Sequence, residues 1–206
     1  MLHNYDDCER REVVPFIPPG AKRILDVGCA RGGFGALLTD REVYGVEPNP
    51  EAATVAAKRY RHVYRGVFPD VVPEGEVFDC IIFNDVLEHL VDPYAAVRDC
   101  RDYLAMDGHV VASIPNMRYV QVLKRLLFNA DWTYTDVGVL DRTHLRWFTH
   151  KTMRSLFEEN GFTVETLAPI NVHEGRCGKV LIHIRPLADL AALQFVVVAK
   201  LRTIRD

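Results

Sequence analysis

No two of the five cysteines, Cys8, Cys29, Cys80, Cys100 and Cys177, are spaced as CxxC, and their number is odd. That argues against a disulfide framework and against a structural zinc site, and it suits a reduced, intracellular setting. Long apolar runs are also missing. Stretches such as 195–199 (FVVVA) fall far short of the ~20 residues that a membrane helix needs. The N-terminal MLHNYDDCERREVVPF has no apolar run of signal-peptide length. There is no basic excess either: 25 Lys and Arg stand against 28 Asp and Glu, a net charge of −3. A protein that grips a duplex by its phosphates usually carries one. Internal repeats and low-complexity tracts are absent. The expectation is a cytoplasmic chain with no membrane span and no nucleic-acid partner.

What remains is ordinary for a globular domain. The 206 residues are 49% hydrophobic and 26% charged, enough to bury one core without staples. Strand-like and helix-like segments alternate. Strands are expected at 23–27, 42–47, 62–64, 78–83, 109–114, 162–167 and 195–199, and helices at 34–39, 50–60, 93–104 and 151–160. Alternation of this kind predicts an α/β fold, a Rossmann-like, doubly wound, mostly parallel seven-stranded sheet with helices on both faces. Ligands of such sheets bind beyond the carboxyl ends of the strands, where strand order switches. Functional residues should therefore follow the strands directly.

The segment ILDVGCARGGFG (24–35) meets that test. A strand runs into Asp26, and then Gly28, Ala30, Gly32 and Gly33 allow a tight turn and close approach of a ligand. Alone, this also fits a degraded dinucleotide fingerprint, and a nicotinamide-dependent oxidoreductase stays open at this point. Asp26, placed before the glycines, suits a cationic ligand group better than a pyrophosphate. Glu47 ends the next strand, 21 residues after Asp26, where a carboxylate can accept both hydroxyls of a ribose. FDCIIFNDVLEHLVDP (78–93) follows, with Asn84, Asp85, Glu88 and His89 clustered just after a buried strand.

Together these segments resemble class I S-adenosylmethionine-dependent methyltransferases. DVGCARG resembles the first motif of that family, in which Gly is commoner at the position of Ala30. VYGVEPNP resembles the second motif, FDCIIFNDVLEHL the strand-four motif and GHVVASIPN (108–116) the fifth strand. The match runs through DRTHLRWFTHKTMRSLFEENGF (141–162) to QFVVVAK, and this late part is similar to a subgroup found with ubiquinone-type and cell-envelope sugar methyltransferases. The resemblance implies S-adenosylmethionine as cofactor, S-adenosylhomocysteine as product and no metal. It implies that Asp26 and the loop Gly28, Cys29, Ala30 and Gly32 hold the methionine portion, that Glu47 with Pro48 beside it holds the ribose, and that Asn84, Asp85 and Val86 contact the methionine side. Val67 and Phe68 would border the adenine through backbone groups and stacking, because no acid follows Gly66. Ala30 is tolerable in its loop if its φ is not positive.

Methyl transfer from a sulfonium is mainly a matter of alignment, and an oxygen nucleophile also needs a base near neutral pKa. His89, beside the expected methyl donor, and His144, in the polar loop LDRTHLRWFT, are the two candidates. Asn116 and Tyr119 follow the fifth strand and would line the acceptor site, with Arg142 and Arg146 offering contacts to an anionic or sugar-like group. Arg10 or Arg11 would meet the cofactor carboxylate. Residues 1–206 read as one domain, with 1–20 as an N-terminal cap and 116–147 as a substrate lid carrying Trp132 and Tyr134. The expected acceptor is a small molecule, a sugar or glycolipid precursor or a quinone- or phenol-like ring, methylated on oxygen. With no room for a substrate domain, acceptor choice falls to the cap, the lid or a second subunit in a homodimer. A non-catalytic cofactor-binding module is the competing class.

Overall fold

The computed structural model describes residues 9–172 and 185–202. Its seven strands are β1 (Arg23–Val27), β2 (Glu42–Glu47), β3 (His62–Arg65), β4 (Phe78–Asn84), β5 (Leu104–Pro115), β6 (Phe162–Val172) and β7 (Ala192–Leu201). They form one sheet in the order β3-β2-β1-β4-β5-β7-β6. The first five pair in parallel, whereas β7 runs antiparallel to both β5 and β6. The mixed character confines itself to one edge, as β7 returns between two strands that point the other way.

Strand order reverses between β1 and β4, and the register aligns the ends of the strands there. Val27 pairs with Val46 on one side and Phe83 on the other. Gly28, Pro48 and Asp85 therefore leave the sheet side by side. Pro115 pairs with Gln194, so the start of β7 arrives at the same edge.

Alternation along the strands sends side chains to two cores. Leu25, Val27, Ile81 and Phe83 pack with α2 (Pro93–Asp99) and α4 (His150–Glu158) on one face. Ile24, Cys80, Ile82 and Val111 pack on the other with α1 (Pro50–Ala56) and with Val13 and Ile17 of the N-terminal segment. Helix starts are chemically marked. The Asn49 side chain accepts from the N–H of Glu51 and of Ala52 ahead of α1, Asp92 accepts from Ala95 N ahead of α2, and Thr149 and Thr152 form a reciprocal capping box on α4. Proline at the first turn of α1 and α2 has no N–H to leave unpaired.

The helix expected at 34–39 is a single 3-10 turn, Gly35–Leu37. Glycines at 32, 33 and 35 oppose a longer helix. Gly35 is there for another reason: a Cβ on it would lie 2.3 Å from the Tyr60 ring. The expected helices 50–60 and 93–104 are shorter, ending in α-helical form at Ala56 and Asp99, and several strands are longer than expected. The stretch 116–147 folds as α3 (Val120–Asn129) followed by an irregular segment. Val122 of α3 packs on Val139 and Leu140 as a small separate core.

Candidate active site

A cavity of about 680 Å³ opens at the β1/β4 switch. One half is walled by Val27, Gly28, Glu47, Pro48, Val67 and Phe68, the other by Glu88, His89, Val137, Asp141, Thr143 and His144. Val86 stands between them, over the first glycine of the loop. A Cβ on Gly28, at φ +73°, would fall 2.6 Å from Val86 Cγ2. Here the absence of a side chain lets Val86 pack directly on the loop.

Glu47 organises the first half. Its Oε2 accepts from Ala30 N at 2.9 Å and its Oε1 from Asn49 N at 2.8 Å. One carboxylate thus ties the loop after β1 to the turn after β2. Burial pushes its pKa up, and the two N–H groups oppose that shift. Each oxygen keeps a further lone-pair direction for a ligand hydroxyl.

Asp26 sits elsewhere than expected. It lies on the same sheet face as Ile24, away from the cavity lining, and its Oδ2 accepts from the Tyr60 hydroxyl at 2.6 Å. Tyr60 also accepts from Gly35 N at 3.0 Å. Asp26 therefore braces the loop from below. Burial raises its carboxyl to about 7, against the Tyr60 hydrogen bond and with the nearby Glu47 adding to the rise. The folded state then holds a proton that the unfolded chain releases near pH 4, so stability falls as pH rises from about 4 to about 7. Asp26→Asn is expected to reduce that fall. Denaturant unfolding at pH 5 and pH 8 checks it, with a wild-type loss that is smaller in the variant by an amount on the order of a few kcal/mol, the part left being that of the other buried carboxyls. Equal slopes in both proteins would exclude the assignment.

Ala30 corrects the expectation about φ, which is +47°. The left-handed region costs a residue with a Cβ about 1 kcal/mol or more. Ala30→Gly is expected to raise stability by about 1 kcal/mol or less, since glycine also gains entropy in the unfolded chain. A thermal melt that drops by several degrees would show that the methyl group packs favourably instead. Cys29 turns into the core, where its Sγ lies against Gly45, and Gly32 at φ +82° packs on Tyr60. Neither lines the cavity, and of the loop Gly28–Gly32 only Gly28 does.

At the strand-four end, Asp85 lines the cavity, whereas Asn84 does not, and its buried amide has no hydrogen-bond partner among the described residues. Asp85 adopts φ +54° and is held from three sides. Its Oδ1 accepts from Gln194 Nε2 at 2.7 Å and from Ser113 Oγ at 3.2 Å, and its Oδ2 pairs with Arg10. Arg10 thus meets a protein carboxylate, and Arg11 pairs with Glu9 on the surface. Gln194 in turn accepts from Asn171 Nδ2 at 2.7 Å.

The second half gathers three lone-pair groups. Glu88 is 1% exposed, and neither carboxylate oxygen has a hydrogen-bond partner among the described residues. Burial, and then the charge of Asp85, drive its pKa well up. His144 Nε2 lies 3.9 Å from Glu88 Oε1, and the His89 and His144 rings meet edge-on at 4.7 Å. Burial, and then His144, lower the pKa of His89, which favours its neutral form. Glu88, His89 and His144 each offer a ligand atom, all within 4.8 Å of one another. That is a donor set that a divalent cation would accept. No local spacing announced it, because His144 joins from 55 residues further along the chain.

The other expected acceptor residues do not line the cavity. Asn116 is fully buried and donates to the carbonyls of Asp189 at 2.7 Å and Ala192 at 3.0 Å, fastening the approach to β7. Tyr119 precedes α3 and packs beside the small core. Arg142 pairs with Asp136 at 2.8 Å on the surface, and Arg146 donates to the carbonyls of Leu145 and Val91. Trp132 and Tyr134 gather on Trp147 outside the cavity, while Asp136, Val137, Gly138 and Val139, with Asp141, Thr143 and His144, supply the part of the insertion that faces in. Glu88 and Thr143 carried a signal in their motifs. Gln194 and Val137 carried none, since both reach the site only through tertiary structure.

A seven-stranded sheet in this order, with an acid-braced loop and a buried carboxylate tying two loops at the switch, has the class I methyltransferase fold. A family model described as a methyltransferase domain matches residues 3–167, and the chain belongs to that family. It is similar to a ubiquinone biosynthesis O-methyltransferase, mitochondrial, of Bos taurus, 24% identical over 172 residues that cover 74% of this chain and 44% of that one. It is also similar to a ubiquinone biosynthesis O-methyltransferase of Cereibacter sphaeroides (strain ATCC 17025 / ATH 2.4.3), 28% identical over 134 residues that cover 59% and 52%. The chain spans about half the length of these curated relatives. Among solved structures, a SAM dependent methyltransferase from Archaeoglobus fulgidus superposes with a TM-score of 0.69 at 19% identity, covering 94% of this chain and 92% of that one. The Burkholderia thailandensis 1,6-didemethyltoxoflavin-N1-methyltransferase, with S-adenosylhomocysteine bound, does so with a TM-score of 0.63 at 18% identity, covering 96% and 80%. Among the described residues no helix is long and apolar enough to cross a membrane.

Proposed function

We propose that this chain transfers the methyl group of S-adenosylmethionine to an oxygen of a small-molecule acceptor and releases S-adenosylhomocysteine. The observation that carries the reading is the single cavity with two chemically distinct halves joined at Gly28 and Val86. The first half offers a carboxylate for ribose hydroxyls, two side chains (Val67 and Phe68) to flank an adenine, and Asp85 near the methionine end. The second offers two histidines, His89 and His144, within reach of an acceptor hydroxyl. His89 acts as the base, with His144 beside it.

The acceptor half mixes these polar groups with Leu90, Pro115, Val137, Val139 and Leu193. That lining suits a ring bearing hydroxyls, and the names of the relatives support the same choice over a sugar. Arg142 and Arg146 lie outside the lining, which disfavours an anionic acceptor. The proposed setting is the reducing cytoplasm, which the buried free thiols Cys29, Cys80 and Cys100 suit.

The test is methyl transfer from labelled S-adenosylmethionine to a panel of phenols, catechols and neutral and phosphorylated sugars, with cofactor binding followed separately by calorimetry. Transfer to a phenolic or catecholic oxygen is the expected result. Cofactor binding without transfer to any member would favour a binding module, and failure to bind the cofactor would sink the reading.

The convergence of Glu88, His89 and His144 favours a second reading of the acceptor half, in which a divalent cation orients the acceptor oxygen. Exhaustive chelation separates the two. A base mechanism keeps its turnover, whereas loss that added divalent cation restores would assign the trio to a metal.

A further inference from the structure

His89 belongs to a short 3-10 turn, Leu87–His89, directly after β4. The loop that carries Asp141, Thr143 and His144 docks on this turn. Leu145 N and Arg146 N both donate to the Glu88 carbonyl, at 2.8 and 3.0 Å. Loop and turn are thereby one assembly, although they lie more than fifty residues apart in sequence.

Within it, His89 Nδ1 lies 3.2 Å from the Thr143 carbonyl oxygen and 3.1 Å from Thr143 Oγ1. A carbonyl oxygen can only accept, so the proton of this contact sits on Nδ1. The hydroxyl is oriented as well. Thr143 Oγ1 donates to Asp141 Oδ1 at 2.7 Å, and the same oxygen accepts from Thr143 N at 2.8 Å. With its hydrogen committed to Asp141, Oγ1 turns a lone pair toward Nδ1–H. In the neutral imidazole this leaves Nε2 as the bare nitrogen, which is the form a base requires. His144 packs edge-on against the ring at 4.7 Å and has its own Nδ1 fastened to the Val139 carbonyl at 3.1 Å. Rotation of the His89 ring is hindered on that side.

We infer that Thr143, held in turn by Asp141, is the positioning residue that fixes His89 with its proton on Nδ1 and Nε2 free for the acceptor. The inference rests on the reading of His89 as base. In the step it serves, the acceptor O–H bond breaks as Nε2 takes the proton. The oxygen lone pair forms the O–CH3 bond, and the electrons of the S–CH3 bond return to sulfur. The products are the methyl ether, S-adenosylhomocysteine and a His89 imidazolium, which later gives its proton to water. Throughout, Nδ1–H stays on Thr143, and the Asp141 carboxylate lies one residue away from the charge that develops.

The test uses full-length, chelator-treated protein. Thr143→Val is expected to lower kcat about tenfold, the scale of one lost orienting hydrogen bond, with KM for the cofactor unchanged. Thr143→Ser, which keeps the hydroxyl, should restore kcat. Long-range 1H–15N spectra, with the His89 signals assigned by difference from His89→Ala, should show the Nδ1–H tautomer in the wild type and in Thr143→Ser. A population with the proton on Nε2 should appear in Thr143→Val. An Nε2–H tautomer in the wild type, or Thr143→Val with unchanged kcat and tautomer, would overturn the inference. Should Thr143→Val fail to fold, the wild-type spectrum and Asp141→Asn decide in the same way. The spectrum needs no turnover, so it distinguishes a wrong tautomer from a wrong base. If His89→Ala retains full activity while the Nδ1–H tautomer stands, it is the base reading that fails.

Discussion

Glu47→Ala is expected to lose cofactor affinity by about a hundredfold or more. Two effects act together. The ligand loses a charged acceptor for its ribose hydroxyls, and hydrogen bonds to a charged group contribute about 1.5–3 kcal/mol each. The protein also loses the tie between Ala30 N and Asn49 N, leaving two N–H groups that the carboxylate had satisfied. The first effect appears in calorimetry with S-adenosylhomocysteine, the second as a lower melting temperature without ligand. Glu47→Gln separates them, because its amide oxygen still accepts from one N–H while its NH2 faces the other donor. Affinity within threefold of wild type for the alanine variant would remove Glu47 from the cofactor site.

His89→Ala is expected to lower kcat by about 10²–10⁴, the range that a positioned base contributes, while cofactor affinity holds. The size within that range depends on His144. Its ring is 4.7 Å from that of His89, and its Nδ1 is committed to the Val139 carbonyl, so Nε2 is the nitrogen left on the Glu88 side. It can take over part of the work from a poorer position. The single variants should therefore fall less than the double variant, and His144→Ala less than His89→Ala. Single-turnover rates with saturating cofactor check the order. Unchanged turnover in His89→Ala would assign the proton to water or to a self-ionised acceptor.

The strand pattern was legible because buried parallel strands are short apolar runs, and RILDV, EVYGVE and FDCIIFN end where ligand-facing residues begin. The strand-end residues Gly28, Glu47, Asp85 and His89 reached the cavity on that logic alone. Asp26 looked equivalent but is not, because strand alternation turns it to the face of Ile24, where Tyr60 receives it. No local pattern pairs Asp26 with a tyrosine 34 positions later. The failed helix at 34–39 has the same origin: glycine at 35 serves the approach of that tyrosine ring rather than a helix. On the acceptor side, residue type was a poor guide. Arg142 and Arg146 suggested an anion site, yet one pairs with Asp136 and the other with main-chain carbonyls. Asn116 follows its strand as a site residue would, but its amide is spent on two carbonyls near β7. Of the other groups that face inward, Glu88 follows β4 directly, whereas Thr143, Val139 and Gln194 depend on how the insertion and the last strand return to the sheet.

The two halves of the cavity come from separate stretches of chain, the first from β1 to β4 and much of the second from the segment after β5. They meet through the pair of main-chain hydrogen bonds that Leu145 and Arg146 give to the Glu88 carbonyl. Because those bonds involve no side chain, they set a rule for transplantation. A foreign segment grafted between Met117 and Phe148 has to keep Asp141, Thr143 and His144 and to land two consecutive amides on that carbonyl, while the remaining positions are open to change. Under the proposed function, swapping those open positions is expected to change acceptor choice, read as transfer across the acceptor panel, with S-adenosylhomocysteine affinity unchanged.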